Sequence, residues 1–184
     1  RRSRKPIFSQ AIYFFAVGAG FMFVELYFIK RFIILLVDPV ISFTLVLAGI
    51  LLFTSLAGLW VHNSSRPRLR WSLFGLIIVL VMESVLFELL CDSILKLPIV
   101  MQYAVALLFL LPVGFLMGLP FPLGMRDILD SPVQRAYAWS VNGCASVLSS
   151  IAAAQVAISW GIPQIAFLAV GAYLSAYFCT GKKV

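Results

Sequence analysis

Five ionisable residues lie within or beside long apolar stretches of this sequence, namely Glu25, Lys30, Arg31, Glu83 and Glu88. In a lipid environment an ionisable side chain costs about 2.5–3.5 kcal/mol on insertion scales, so each one is a functional candidate. A carboxyl group that gains and loses a proton is what a proton-coupled carrier needs. Glu25 and Glu83 are the candidates for that role. The alternative is that each is a hydrogen-bonded carboxyl that holds neighbouring helices together.

Glu88 is expected near Lys30 and Arg31, because all three fall close to the same end of their apolar stretches. An ion pair would neutralise the charges and tie the first stretch to the third. Alternatively, the cations extend to the lipid headgroups without a partner. Glu83 and Glu88 are five residues apart, about 140° around a helix, so they do not form a general acid/base pair.

Residues 114–126 read GFLMGLPFPLGMR and interrupt the fourth apolar stretch with two prolines and three glycines. Proline in a helix interior kinks or breaks the helix, because it lacks an N–H and its ring clashes with the preceding turn. We therefore expect the helix to end at Gly118, an extended segment over Leu119–Leu123, and a short interfacial helix from Gly124 that carries Arg126. The segment is either a simple connecting loop or a broken helix that lines a cavity.

The fifth apolar stretch carries small and polar residues at helical spacing, including Asn142, Ser146 and either Ser149 or Ser150, followed by Ala153 and Ala157. Such a stripe allows a neighbouring helix to pack closely, or it lines a substrate site. Together with the proline segment it predicts one polar site at the inner membrane face. The candidate residues are Gly118, Pro120, Pro122, Gly124, Arg126, Asn142 and Ser146.

The composition predicts the elements that position these residues. The chain is 62% hydrophobic and 11% charged, against about 45–50% and ~25% in soluble domains. Its mean hydropathy is +1.06. With ~20 apolar residues per crossing, we predict one all-α, polytopic integral membrane domain over residues 1–184. Its six transmembrane helices are Ala11–Ile29, Val40–Val61, Trp71–Leu90, Ile99–Gly118, Tyr137–Trp160 and Ile162–Thr180.

The cations predict the orientation of these helices. Six crossings place both termini on one side, and that side collects eleven of the fourteen Lys and Arg residues. These are Arg1, Arg2, Arg4, Lys5, Arg66, Arg68, Arg70, Arg126, Arg135, Lys182 and Lys183. The positive-inside rule makes both termini cytoplasmic. The net charge of +7 then reflects the orientation of the chain in the membrane. We expect the lipid bilayer as a partner and no nucleic acid.

Several kinds of chemistry are not expected from this sequence. Cys91, Cys144 and Cys179 have no CxxC spacing, and His62 is the only histidine. Disulfides, zinc and a bis-histidine haem are therefore unsupported. We predict no catalytic residue, no metal site and no cofactor, and we do not expect enzyme activity from this chain alone. Because the sequence begins with Arg1, we expect it to be part of a longer protein.

Three segments resemble a known family. These are YFFAVGAGFMFVELYFIKRF from Tyr13, GFLMGLPFPLGMR from Gly114 and AWSVNGCASVLSSIAA from Ala138. They are similar to the C-terminal membrane region of membrane-bound spermidine-synthase-like proteins, in which transmembrane helices flank a polyamine-synthase-like Rossmann domain. Where that family often has Gly-His-Pro, this chain has Val37-Asp38-Pro39. The synthase-like domain itself is absent from these residues, so the resemblance carries over no catalytic position.

Three functions remain open. The first is a non-catalytic membrane domain or subunit that anchors or scaffolds a partner enzyme or complex at the cytoplasmic face of a bacterial inner membrane. The second is a small-solute or proton-coupled transporter that uses Glu25 and Glu83. The third is a fragment of a membrane-bound aminopropyltransferase-like enzyme.

Overall fold

A computed structural model describes residues 7–63 and 69–181 of the protein, and these residues form seven helices. The helices are α1 (Ile7–Leu36), α2 (Pro39–Asn63), α3 (Leu69–Ile94), α4 (Ile99–Met117), α5 (Pro120–Asp127), α6 (Pro132–Trp160) and α7 (Pro163–Gly181). Six segments are long and apolar enough to cross a membrane, and the fourth of them, Ile99–Asp127, covers both α4 and α5. This confirms an all-helical chain with six candidate spans.

The helices extend beyond the predicted spans, and this corrects the position of two cations. Helix α1 continues past Ile29 to Leu36, so Lys30 and Arg31 lie inside the helix and not at its boundary. Helix α6 begins at Pro132, where the Ser131–Gln134 capping box places its start, and so extends before the predicted membrane span from Tyr137. The predicted spans mark the apolar stretch of each helix that fits the hydrocarbon of a bilayer. The helix itself ends where its terminal backbone groups are capped. Eight cations used in the orientation argument lie outside the described residues, namely Arg1, Arg2, Arg4, Lys5, Arg66, Arg68, Lys182 and Lys183.

Side-chain caps begin two of the long helices. At the start of α2, the Asp38 carboxylate accepts hydrogen bonds from the backbone N–H of Val40 at 2.9 Å and of Ile41 at 3.0 Å. At the start of α6, the Ser131 hydroxyl accepts from the Gln134 N–H at 3.2 Å, and the Gln134 side chain accepts from the Ser131 N–H. This reciprocal capping box satisfies two donors that the helix itself leaves unbonded.

Helix α1 is the centre of the bundle. Helices α6 and α7 pack along one side of it, and α2 packs on another. Helix α4 packs mainly against α2, while α3 packs between α7 and α4. The short helix α5 lies at the end of the bundle where α1 begins and α4 ends, which we call the α5 end.

Two glycines, one in the last turn of α4 and one just after its end, allow the close approach of α2. A Cβ atom added at Gly114 would lie 3.0 Å from the Phe53 Cβ, and one added at Gly118 would lie 2.7 Å from the Thr54 Cα. Helices in lipid associate through this kind of close van der Waals contact, because lipid provides no hydrophobic driving force between them. The GxxxG pattern at Gly114 and Gly118 therefore packs against α2.

The expected extended segment over Leu119–Leu123 is wrong. Helix α5 begins at Pro120, four residues before the predicted start at Gly124, and it includes Pro122 and Arg126. The first N–H groups of a helix have no intrahelical partner, so a proline in the first turn loses no hydrogen bond, and its fixed φ suits the helix. Only Gly118 and Leu119 separate α4 from α5.

We expect Gly118→Ala to lower the melting temperature of the purified protein in detergent, because the added methyl group meets the backbone of Thr54, which cannot move aside. Overpacking of this kind costs about 1–3 kcal/mol. The matched control is Gly143→Ala on α6, where an added Cβ meets nothing within 4 Å. That variant should melt at the same temperature or higher. Equal melting temperatures for the two variants would contradict the close packing of α4 on α2.

Candidate functional site

Helix α5 is held against α1 by a buried tyrosine. The Tyr13 hydroxyl donates a hydrogen bond of 2.7 Å to the Pro120 carbonyl oxygen, and the Tyr13 ring lies directly against Gly124. A side chain on residue 124 would occupy the position of that ring, which explains the glycine. Phe121 adds edge-to-face contacts with Phe14 at 5.7 Å and with Trp139 at 4.8 Å between ring centroids. The short helix is thus fixed to both α1 and α6.

A cleft of about 410 Å³ lies between α2 and α6, with α1 as its floor. We call it the α2/α6 cleft. It brings together four of the residues predicted to form a site, namely Gly118, Pro122, Asn142 and Ser146. The remaining wall includes Thr54, Phe121 and Trp139. The proximity of the proline segment to the start of α6, expected from the sequence, is therefore present.

The character of this cleft differs from the expectation of a polar site lined by free backbone groups. The Gly118 N–H bonds to the Gly114 carbonyl at 3.2 Å, and the Leu123 N–H bonds to the Leu119 carbonyl at 3.1 Å. Most of the lining is apolar. Pro120 and Gly124 are buried against Tyr13 and do not line the cleft. The interruption of α4 therefore positions a second helix, α5, beside the cleft.

Beside the α2/α6 cleft lies a second depression of about 440 Å³, which we call the basic cleft. Its lining includes Arg126 and Arg135, and it shares Phe121, Pro122 and Trp139 with the α2/α6 cleft. The Arg126 Nε donates to Asp127 at 2.8 Å. Because there are two arginines and one aspartate at the basic cleft, its net charge is positive.

Asn142 and Ser146 both pack on α1 and line the α2/α6 cleft. A Cβ atom added at Gly18 would lie 2.8 Å from the Asn142 side-chain oxygen, so the glycine admits the asparagine. The Ser146 hydroxyl lies 3.0 Å from the Asn142 carbonyl and 3.5 Å from the Gly18 carbonyl. Farther along α6, Ser149 and Ala153 are buried. The small and polar residues of α6 therefore have two roles. They pack against α1 along the helix, and near the α5 end they also line the α2/α6 cleft.

The other half of the bundle contains the expected ion pair. An Arg31 Nη2 group is paired with Glu88 and joins α1 to α3, whereas Lys30 is exposed. The Arg31 guanidinium also lies over the Tyr27 ring at 5.5 Å and the Phe87 ring at 5.2 Å. The side chain of Arg31 is only 10% exposed, while that of Glu88 is 55% exposed. Such a pair with aromatic neighbours stabilises a buried cation, which supports a structural role.

Glu25 and Glu83 are not brought into either cleft. Glu83, near the middle of α3, is 6% exposed, and its Oε2 atom has no hydrogen-bond partner among residues 7–63 and 69–181. Glu25 is half-buried on α1. A buried carboxyl oxygen without a partner carries a desolvation cost of about 1–3 kcal/mol. Glu83 is therefore the carboxyl whose position calls for a functional explanation.

Sequence reasoning did not identify the tyrosines or the role of Arg135. Tyr13 and Tyr27 are almost fully buried in α1. Their signal was present, since Tyr27 lies one turn before Arg31 and a tyrosine inside an apolar helix needs a partner for its hydroxyl. Arg135 was counted only for orientation. Its signal was its spacing, because Arg135, Trp139, Asn142 and Ser146 recur at three- and four-residue intervals along one face of α6.

Comparison with protein-family models, with characterised proteins and with solved structures finds no match to this chain. Within the described part of the chain, no group of three or more His, Cys, Asp or Glu residues is placed to hold a metal ion.

Proposed function

We propose that this chain is a non-catalytic membrane domain that anchors a partner enzyme or complex at the cytoplasmic face of a bacterial plasma membrane. The docking surface is the first turn of α6, where Val133 and Tyr137 project. The observation that carries the proposal is an exposed apolar surface on a helix that is too long for the bilayer. The resemblance to the membrane region of spermidine-synthase-like proteins supports the same role, because that region accompanies a soluble catalytic domain.

Two tryptophans on α6 support the placement of this surface outside the hydrocarbon. Trp139 and Trp160 are both largely exposed, and tryptophan prefers the membrane–water interface. They are twenty-one residues apart, or about 32 Å along a helix, close to the ~30 Å thickness of the hydrocarbon. The residues before Trp139 then extend beyond the hydrocarbon at the α5 end. Because α6 begins at Pro132, nearly two helical turns project there.

The projecting turns present an apolar face to water. Val133 is 79% exposed and Tyr137 is 49% exposed, and the four-residue spacing places them on one face. Apolar and aromatic groups exposed together outside the hydrocarbon are typical of a protein interface. The underlying helix is fixed by its capping box and by the contact of Phe121 with Trp139. A rigid surface favours docking, because little conformational freedom is lost on binding.

Site-specific photocrosslinking tests this surface. We expect a photoreactive amino acid in place of Val133, in the gene product expressed in its bacterial membrane, to give a protein adduct. Tyr137→Ala should reduce the yield of that adduct, because the neighbouring aromatic contact is lost. The matched control carries the same probe in place of Met101, an exposed apolar residue near the opposite end of the bundle.

The nature of the adduct separates two versions of the proposal. An adduct with a second polypeptide indicates a separate partner subunit. An adduct within one polypeptide indicates that the chain is the membrane part of a longer enzyme, as the resemblance implies. If the probe at Val133 gives only lipid adducts, or if the probe at Met101 captures the same protein, the docking surface is wrong.

A second candidate function is a proton-coupled carrier. The buried and partly unpartnered carboxyl of Glu83 favours it, because a carboxyl inside a bilayer is costly unless it has a partner or a function. The half-buried carboxyl of Glu25 on α1 is the second group that such a carrier would use.

Proton flux into liposomes tests this candidate. If the chain carries protons, acidification of liposomes that contain a pH-sensitive dye should be lost on Glu83→Gln or Glu25→Gln, because an amide cannot be protonated in their place. The control is Asp92→Asn, an exposed carboxylate near the end of α3, which should leave the flux unchanged. A wild-type flux equal to that of empty liposomes would remove this candidate.

A further inference from the structure

The α2/α6 cleft and the basic cleft adjoin one another. They share Phe121, Pro122 and Trp139, so the apolar cleft and the positively charged one lie side by side across these residues. The α2/α6 cleft extends from Trp139 to Ser146 along α6, about 10 Å at 1.5 Å per residue. The helices of the bundle form the apolar walls of this cleft, and its open side faces outward from the bundle. The shape suits an elongated molecule with one charged end.

The face of α6 that lines these clefts carries its only cation at one end of the row. Arg135 lies at the charged end, Trp139 follows one turn later, and Asn142 and Ser146 lie deeper. A phospholipid likewise carries its charge at one end, on the phosphate, with acyl chains extending away from it. The Asn142 amide can donate a hydrogen bond to a lipid oxygen, and the phenyl and indole rings offer an apolar surface to the chain.

Charge decides which class of phospholipid fits. Arg126 and Arg135 flank the opening, and Asp127 neutralises only one of them. An arginine binds a phosphate oxygen through charge-assisted hydrogen bonds of fixed geometry. A zwitterionic lipid would bring its own cation to this positive opening, whereas a lipid with an anionic headgroup would not. Basic clefts between transmembrane helices near the cytoplasmic surface are typical sites for anionic lipids.

We propose that this surface binds one anionic phospholipid, with its phosphate between Arg126 and Arg135 and one acyl chain in the α2/α6 cleft. The lipid fills the gap between α2 and α6 and leaves Val133 and Tyr137 uncovered, because Arg135 lies about 200° around the helix from each of them. Lipid binding is therefore separate from the docking of a partner, and each is measured without the other.

Native mass spectrometry of the purified protein tests the proposal with an equimolar mixture of phosphatidylglycerol and phosphatidylcholine that have identical acyl chains. We expect the wild-type protein to retain phosphatidylglycerol in preference. Arg126→Gln combined with Arg135→Gln should reduce the bound ratio roughly tenfold, because hydrogen bonds to a charged group are lost. The control is Arg70→Gln, which removes an exposed cation from α3 that lines neither cleft.

A second pair of variants tests the position of the acyl chain. Gly58 lines the α2/α6 cleft, and a Cβ atom added there meets nothing within 4 Å. Gly58→Leu should therefore fill the cleft and abolish the preference while both arginines remain. Gly143→Leu, at an equally open glycine that does not line the cleft, should have no effect. The proposal is overturned if Gly58→Leu keeps the preference, if Arg70→Gln lowers it as much as the double variant, or if the wild-type protein binds both lipids equally.

Discussion

The close approach of helices around α1 is the constraint on which the rest of this structure depends. In the most apolar 18-residue stretch of each helix, 67% of the α1 residues are buried inside the bundle, whereas only 17% of the α6 residues are. Helices in lipid gain little from burying apolar surface, so they must gain from tight packing. Glycines provide the contact distance, since Gly18 admits Asn142 of α6 and Gly20 lies against the Tyr173 ring of α7. The same device fixes α5 through Gly124 and Tyr13.

Two clefts follow from this arrangement. Because α6 and α2 each pack on α1 and little on one another, a gap remains between them with α1 as its floor. Helix α5 closes one end of the gap and contributes Arg126 to its opening. The break in α4 therefore has a physical result. It turns the chain so that a short helix, and not a loop, forms the border between the apolar cleft and the basic cleft.

The features that depend on local chemistry were predictable from the sequence. The number of long helices follows from apolar length, and the starts of α2 and α6 follow from Asp38 and from the Ser131–Gln134 pair. The Arg31–Glu88 ion pair follows from two opposite charges at similar depth. The meeting of Gly118, Pro122, Asn142 and Ser146 was also expected, because each lies near the same end of its helix.

The features that depend on tertiary contacts were not predictable. Pro120 and Pro122 are compatible with a turn or with a first helical turn, and the Tyr13 hydroxyl on the Pro120 carbonyl favours the helix. The sequence also does not show that α1 is the central helix, because its apolar residues resemble those of its neighbours. The division of Asn142 between packing and cleft lining depends on Gly18, which is distant in sequence. Burial of Glu83 depends on which face of α3 meets the bundle.

The proposed function requires a bilayer around these helices, with the α5 end inside the cell. Labelling of single cysteines with a membrane-impermeant maleimide tests this most directly, after Cys91, Cys144 and Cys179 are replaced by serine. In intact bacteria, Lys96→Cys in the turn between α3 and α4 should be labelled, whereas Asp130→Cys between α5 and α6 should be labelled only after the membrane is permeabilised. Labelling of both positions in intact cells, or of Asp130→Cys alone, would contradict it.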